Sequence, residues 1–349
     1  MYKKIFMGIA AAAALTLVSC SSDDLNSLSD NSSKNEAISF DGYLGRSAVS
    51  VNGSRGSELT KEKLKTDGFG VFGNYKETDG LEFGSNWFDN VKVTCSSTGT
   101  KWTYSPVQYW LPQGHIDFLA YAPYDSKYNN KVTNDNQKLD FTVSSTITAQ
   151  KDLLWANATN QTKANKPVAF TFKHALSRLG YTVKLNNDYT GTTITLDKIT
   201  LAGSSDGTKD AFYTTGTIDL SKTSSTNLWT ISTPDAKQKF DWFSGTQNLA
   251  TTDYKNPDAN YLFVIPQKFS ASPSDELYVI VEYTIKGYKG VTTSMKNTVW
   301  QKLEQEFKQG KAYTINLTIG LTPIEFDANV TPWVDGSNKN TDINIDSWN

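Results

Sequence analysis

Two histidines, His115 and His174, are all that this chain offers for imidazole chemistry. They stand far apart, no Cys or carboxylate lies near either at metal-ligand spacing, and no His-Glu-x-x-His occurs. Gly203-Ser204-Ser205-Asp206-Gly207 fits G-x-S-x-G after the alternating run Ile194–Leu201. A nucleophile elbow needs a helix after its serine and a later histidine. Thr208–Leu220 reads as strand and no histidine follows His174, so the match predicts a hairpin turn. Asp335-Gly336-Ser337-Asn338-Lys339-Asn340-Thr341-Asp342 has oxygen ligands for Ca²⁺, but not at EF-hand spacing, and Lys339 opposes a cation. It reads as a solvated loop. Trp102, Tyr104, Tyr109 and Trp110 cluster in the way of a sugar-stacking platform, although in a β-sandwich such a cluster is more often core. His174 reads as a half-buried, hydrogen-bonded residue between domains rather than a general base. No phosphate-binding glycine loop and no local signature of a carboxylate pair is present. The expectation is a protein that is not an enzyme and has no cofactor and no metal.

The residue with the clearest chemistry is Cys20. Lys3 and Lys4 precede an apolar run from Ile5 to Val18 that ends in Leu17-Val18-Ser19-Cys20. A basic start, a short apolar core and small residues before the cut describe a secretory signal peptide over residues 1–19. The run is short for a membrane span, and no stop-transfer pattern follows. Leu-Val-Ser-Cys resembles a bacterial lipobox, in which the Cys is acylated and becomes the new N-terminus. Each buried CH₂ of the acyl chains contributes about 0.8 kcal/mol, so a multiply acylated (palmitate-bearing) Cys20 is a durable anchor. The plain alternative is an ordinary signal peptide with a chance Cys. Ser21-Ser22-Asp23-Asp24 then resembles the acidic export signal of Bacteroidetes surface lipoproteins.

Without residues 1–19 about 330 residues remain, enough for two ordinary domains. Net charge is −2, and about −4 once Lys3 and Lys4 depart, which argues against nucleic acid as a partner. With Cys20 lipidated, Cys95 stands alone, so no intrachain disulfide is available. Stability has to come from the core, and Phe, Tyr and Trp at 12% supply large apolar side chains for one.

Residues 20–36 are Ser, Asp and Asn with little apolar content, a lipidated flexible tether. From Ile38 onward a period of two dominates: Ile38–Tyr43, Val91–Val93, Phe141–Val143, Tyr181–Leu185, Ile194–Leu196, Tyr278–Ile285, Tyr313–Ile319 and Ile324–Val330. Asp79-Gly80, Asp206-Gly207, Asn256-Pro257 and Asp335-Gly336 mark turns between them. Helical spacing is confined to Leu59–Lys65, Trp300–Lys308 and a single turn at Ala175–Leu179. Many short strands and few short helices predict an all-β fold of sandwich type. The pattern places an N-terminal domain over 37–175 and a C-terminal domain over 176–349, divided at the bend His174–Gly180.

A series of short motifs then occurs in order. Phe69-Gly70-Val71-Phe72, Trp102-Thr103-Tyr104, Tyr109-Trp110-Leu111-Pro112 and Phe118-Leu119-Ala120-Tyr121-Ala122-Pro123 open it. Asp152-Leu153-Leu154-Trp155-Ala156, Phe170-Thr171-Phe172-Lys173-His174-Ala175-Leu176-Ser177, Gly310-Lys311-Ala312-Tyr313-Thr314-Ile315-Asn316-Leu317 and Val330-Thr331-Pro332-Trp333 complete it. This series resembles the fimbrillin family of Bacteroidetes, the subunits of type V pili, over nearly all of the mature chain.

The resemblance implies two tandem transthyretin-like β-sandwich domains and a route to a fibre. Family members reach the outer membrane surface as lipoproteins, and a protease removes the lipidated N-terminus with the first strand. A neighbouring subunit's strand fills the groove, giving a head-to-tail, non-closing polymer. Carried onto this chain, the leaving strand is Ile38–Tyr43, and an arginine-specific cut falls after Arg46 or Arg55. The donor stripe is Ile324, Phe326, Ala328 and Val330, or else Ile343, Ile345 and Trp348 if Ile324–Val330 stays in its own domain. Three or four such side chains at roughly 1.5–3 kcal/mol each give on the order of 5–10 kcal/mol before ordering costs. The implied function is a structural subunit or adhesin of a surface fimbria, whose partners are other fimbrial subunits and a host or bacterial surface ligand. The competing function is a carbohydrate-binding surface lipoprotein that stays monomeric and keeps its lipid and first strand.

Overall fold

Alternating apolar and polar residues can bury one face only in a sheet, and the chain is built almost wholly of sheets. A computed structural model describes residues 36–44, 59–76, 87–96, 99, 101–133, 135–231, 237–257, 260–321, 325–332 and 341–343, the last two segments as backbone course. Cys20, Arg46, Arg55, Ile324, Ile345, Trp348 and all but the last two residues of the Asp335–Asp342 loop lie outside these residues.

The strands of the first half are β1 (Phe40–Leu44), β2 (Phe69–Lys76), β3 (Phe88–Cys95), β4 (Trp102–Thr103), β5 (His115–Ala122), β6 (Lys138–Thr142), β7 (Leu154–Gln161) and β8 (Val168–His174). Next come β9 (Ser177–Leu185), β10 (Thr193–Ala202), β11 (Phe212–Tyr213), β12 (Thr215–Asp219), β13 (Trp229–Ile231), β14 (Lys237–Gln238), β15 (Phe240–Asn248) and β16 (Tyr254–Lys255). The series closes with β17 (Leu262–Val264), β18 (Gln267–Lys268), β19 (Tyr278–Lys286), β20 (Met295–Lys302), β21 (Glu306–Phe307), β22 (Lys311–Ile319), β23 (Glu325–Pro332) and β24 (Thr341–Ile343). Among the described residues the single α-helix is α1 (Lys61–Asp67). Thr60 starts it, its hydroxyl accepting from the Lys63 N–H, and Gly68 at φ 74° ends it.

A seven-stranded sheet runs β1-β8-β7-β5-β2-β3-β4. Its interior strand β2, between β5 and β3, is buried at every position but the last, which explains the near-continuous apolar run at Phe69–Phe72. Gly70 is there because rings crowd it. A Cβ at this position would lie 2.3 Å from Tyr121 Cε1 and 2.5 Å from Asn90 Oδ1. A second sheet runs β15-β10-β19-β20, and a third runs β16-β9-β22-β23-β24 with β17 also on β9. Their facing sides enclose one core, including Tyr181, Leu196, Trp242, Val281 and Leu317. The first sheet encloses another, rich in Phe40, Phe69, Phe88, Phe118 and Phe170. The protein is thus an all-β, sandwich-like fold.

A third core draws on both halves. Phe72, Tyr121 and Trp155 meet Ile218, Leu228, Phe263 and Ala312. Above it β6 pairs antiparallel with β12, from Lys138 against Asp219 to Thr142 against Thr215. The passage from β8 to β9 is fastened too: the Ala175 N–H donates to Leu153 O at 2.7 Å, and Gly310 N–H to Leu176 O at 2.9 Å.

Two helical expectations fail. Trp300–Lys308 is the end of β20, a turn and β21, because Val299 faces Val281 across the β19 ladder. Leu303 and Phe307 are buried as the spacing demands, but from extended backbone. Ala175–Leu179 enters β9 directly. Leu59–Lys65 does become α1, shifted by two residues.

Candidate functional site

The site that the geometry singles out is the seat of β1. This strand is the edge of the seven-stranded sheet and runs parallel to β8, from Phe40 opposite Val168 to Leu44 opposite Phe172. Its alternation decides what it buries. Ile38 is 2% exposed and Phe40 4%, and Gly42 is buried, whereas Ser39 and Tyr43 face out. Phe40 stands among four rings: edge-on to Phe88 and Phe118 at 5.5 and 5.3 Å, tilted to Tyr104 at 5.2 Å, stacked on Phe170 at 5.7 Å. Gly42 is the narrow point, where an added Cβ would lie 3.1 Å from Phe69 Cε1 and 3.3 Å from Trp102 Cζ2.

The other side of the strand is not bare. The stretch Tyr104–Trp110 straps its start. Ile38 N–H donates to Gln108 O at 2.9 Å, and Trp110 N–H to Glu36 O at 2.8 Å. The Tyr104 hydroxyl donates to Ile38 O at 2.8 Å and accepts from Gln108 N–H at 3.2 Å. Burial pushes the Tyr104 phenol above its ordinary pKa, which keeps it a neutral donor. Lys166 and Glu36 close the end with an ion pair. Every hydrogen bond of this strap except the Tyr104 hydroxyl's is made by backbone, so no side-chain pattern announces it.

The aromatic cluster divides on inspection. Trp110 is 5% exposed, Trp102 and Tyr104 pack against the core beside β1, and Tyr109 alone is open, at 47%. His174 and Asp152, each inside a sequence motif, meet: Nδ1 lies 2.8 Å from Asp152 Oδ2, with both residues buried. The same carboxylate oxygen accepts from Leu59 N–H at 3.1 Å. Residue pairing across 22 positions of chain is invisible to local spacing, and nothing in the sequence flagged Asp152 as a partner.

Gly203–Gly207 forms a turn after β10. Asp206 accepts from the Ser204 hydroxyl at 2.5 Å, the Thr208 hydroxyl at 2.8 Å and the Thr208 N–H at 3.0 Å. These bonds, that of Ser204 foremost, hold its carboxyl down to about 2. Among the described residues no three metal-ligating side chains come together. No helix there is long and apolar enough to cross a membrane.

Of the proposed donor residues, Phe326, Ala328 and Val330 fall on β23. That strand pairs antiparallel with β22 along its length, from Pro332 opposite Lys311 to Glu325 opposite Thr318. Ile343 is on β24, opposite Ala328.

A model of the fimbrillin-like family matches residues 59–333. No curated protein matches significantly. A solved fimbrial protein from Bacteroides vulgatus superposes with a TM-score of 0.61 at 22% identity, over 86% of this chain and 100% of that one. A candidate cell adhesion protein from Bacteroides ovatus superposes with a TM-score of 0.52 at 15% identity, over 87% and 100%. At these identities the likeness establishes a shared fold.

Proposed function

The chain belongs to the fimbrillin-like family, and on that premise we propose that it is a structural subunit or adhesin of a cell-surface fimbria. It is exported as a lipoprotein through Cys20, tethered to the outer membrane until a cut after Arg46 or Arg55 frees it. The cut releases β1, and a neighbour's C-terminal strand takes its place.

The observation that supports this reading is the way β1 is held. It is short, lies at a sheet edge, and carries two buried positions, Phe40 and Gly42, to which the residues leading into it add Ile38. Its departure would leave the rings of Phe88, Tyr104, Phe118 and Phe170 facing water and the β8 edge unpaired. Such a surface is covered either by association or by aggregation. Backbone ladder bonds supply affinity for an incoming strand, and the pocket row supplies selectivity.

The test is the intact mass and N-terminal sequence of the protein released from native cells, with unheated SDS gels. A new N-terminus at Ser47 or Gly56, with ladders that collapse on boiling, is the expected result. A monomer that keeps lipidated Cys20 and β1 overturns it and leaves the carbohydrate-binding lipoprotein, whose binding face would use Tyr109 or Trp300, 47% and 53% exposed.

A further inference from the structure

The outer face of the β6–β12 ladder is the floor of a pocket. Alternation turns Leu139, Phe141 and Ile218 into the core below, and so turns Lys138, Asp140, Thr142 and Thr217 outward. The chain just ahead of β6 stands beside that face as a wall. It begins with a short helical turn, Ser126–Tyr128, and runs through Lys131 to Asn136. Floor and wall enclose about 370 Å³, the wall contributing Lys127, Tyr128, Lys131 and Asn136. Pockets that hold small molecules run at about 300–1,000 Å³.

The wall is built to keep its shape. The Tyr128 hydroxyl donates to Asp140 O at 3.1 Å and ties the turn to the floor. Burial pushes that phenol above its ordinary pKa and keeps it a neutral donor. Asp125 starts the turn, its carboxylate accepting from the Lys127 N–H at 3.0 Å. Asn136 closes the loop: its side-chain amide donates to Lys131 O at 3.2 Å, and its N–H to the Thr133 hydroxyl at 3.1 Å. Asp89, on β3, accepts from the Asn130 N–H at 3.0 Å. A ligand therefore meets a preformed cleft and loses little to ordering it.

The lining specifies the ligand. It is polar almost throughout: Tyr128, its one aromatic residue, is buried, and the Lys127 ammonium lies over that ring at 4.8 Å. Three lysines, Lys127, Lys131 and Lys138, share the pocket with one carboxylate, on a chain whose net charge is −2. Lys127 has Asp125 at 3.5 Å, whereas among the described residues Lys131 and Lys138 enter no ion pair. A concave excess of positive charge focuses its field on an anion, which the ammonium groups hold by charge-assisted hydrogen bonds. Asp140 adds a second requirement. Its Oδ1 accepts from the Thr217 hydroxyl at 2.8 Å. An ionised carboxylate only accepts, so beside a bare sulfate or phosphate it repels, and beside a hydroxyl it binds. The pocket thus asks for a negative group and for hydroxyls on the same molecule.

We propose that this pocket binds a short acidic saccharide, with its carboxylate or sulfate on Lys131 and Lys138 and its ring hydroxyls on Asp140, Thr142 and Asn136. The inference rests on the adhesin half of the reading above and names the class of its ligand. The site is complete within one chain, so it does not wait on strand exchange.

Calorimetry on the full-length, uncleaved chain tests it. Digalacturonate and a chondroitin sulfate disaccharide carry the two anions; lactose and inorganic sulfate are the uncharged and the sugarless comparisons. The expected result is that an acidic disaccharide binds at least tenfold more tightly than lactose or inorganic sulfate, and more weakly as salt is raised. Lys131→Glu with Lys138→Glu should cut that affinity at least tenfold at an unchanged unfolding midpoint, and Lys131→Arg with Lys138→Arg should keep it within threefold. Lys286→Glu with Lys296→Glu makes the same change of charge at exposed positions of β19 and β20 and should leave binding unaltered. Lactose binding as well as the acidic disaccharides overturns the anion, and inorganic sulfate binding as well overturns the sugar. Equal losses in the two Glu pairs overturn the site, because overall charge then accounts for binding. Boiling-sensitive ladders from a chain that binds neither acidic disaccharide overturn this inference alone. Binding by a chain that forms no ladder supports it and overturns only strand exchange.

Discussion

Replacing Phe40 with alanine tests whether β1 is a separable strand held by one anchor. Phe40 is 4% exposed and has rings at 5.2 to 5.7 Å on four sides, so its removal leaves a cavity that rigid aromatic neighbours cannot close. Phe→Ala in such a place costs about 3–5 kcal/mol. If the cost falls on the docking of β1, it raises local opening by roughly two to three and a half powers of ten, at 1.4 kcal/mol per tenfold. Hydrogen exchange of the uncleaved protein reads this directly. Amides of residues 40–44 and the β8 edge should speed up by that factor, while the β2–β5 ladder stays protected. Tyr43→Ala, at a position 49% exposed, is the control and should change exchange little. An increase below tenfold in β1, or an equal increase in β2 and β5, refutes the idea that β1 opens on its own.

Three further outcomes follow from the packing. An arginine-specific endoprotease acting on the folded chain should trim only ahead of residue 59 and spare Arg178, whose backbone is paired with β22 on one side and β17 on the other; an internal fragment beginning at Leu179, detected by mass, would contradict this. Gly70→Ala should lower stability by about 1–3 kcal/mol in urea unfolding, since the new Cβ meets Tyr121 and Asn90, whose own side chains are tied together at 2.7 Å; an unchanged midpoint would show that this cluster yields. Asp152→Ala removes the acceptor of the buried Leu59 N–H and the carboxylate beside the His174 ring, at about 1–3 kcal/mol for the buried N–H left unsatisfied, and the unfolding midpoint should fall accordingly, with faster exchange at Leu59 as the local signature.

The all-β class was legible because alternation survives in a single sequence: Tyr181–Leu185, Tyr278–Ile285 and Tyr313–Ile319 lie within β9, β19 and β22 and reach their C-terminal ends to within a residue, although β9 starts four residues earlier and β22 two. Trp300–Lys308 misled because Leu303 and Phe307, four apart, satisfy a helical stripe as well as they satisfy a strand, a turn and a strand. What arbitrates is the partner strand β19, which lies outside any local window. The first strand was visible as a strand, and its seat was not. That depends on Phe88, Tyr104, Phe118 and Phe170 converging from four parts of the chain. The strap at Gln108 and Trp110 works through main-chain atoms, which carry no residue type.

The β6–β12 ladder and the core beneath it also govern how the molecule carries load. In a filament assembled as proposed, tension entering at the β8 edge and leaving through β22 would have to cross the passage from His174 to Ser177. A bare linker there would let each half swivel and stretch. Instead five pairs of strand residues and a shared set of large side chains bridge it, so separating the halves means breaking those contacts together. The two halves are thereby tied together across that passage, and a filament assembled as proposed would bend more readily at the joints between chains than at this one.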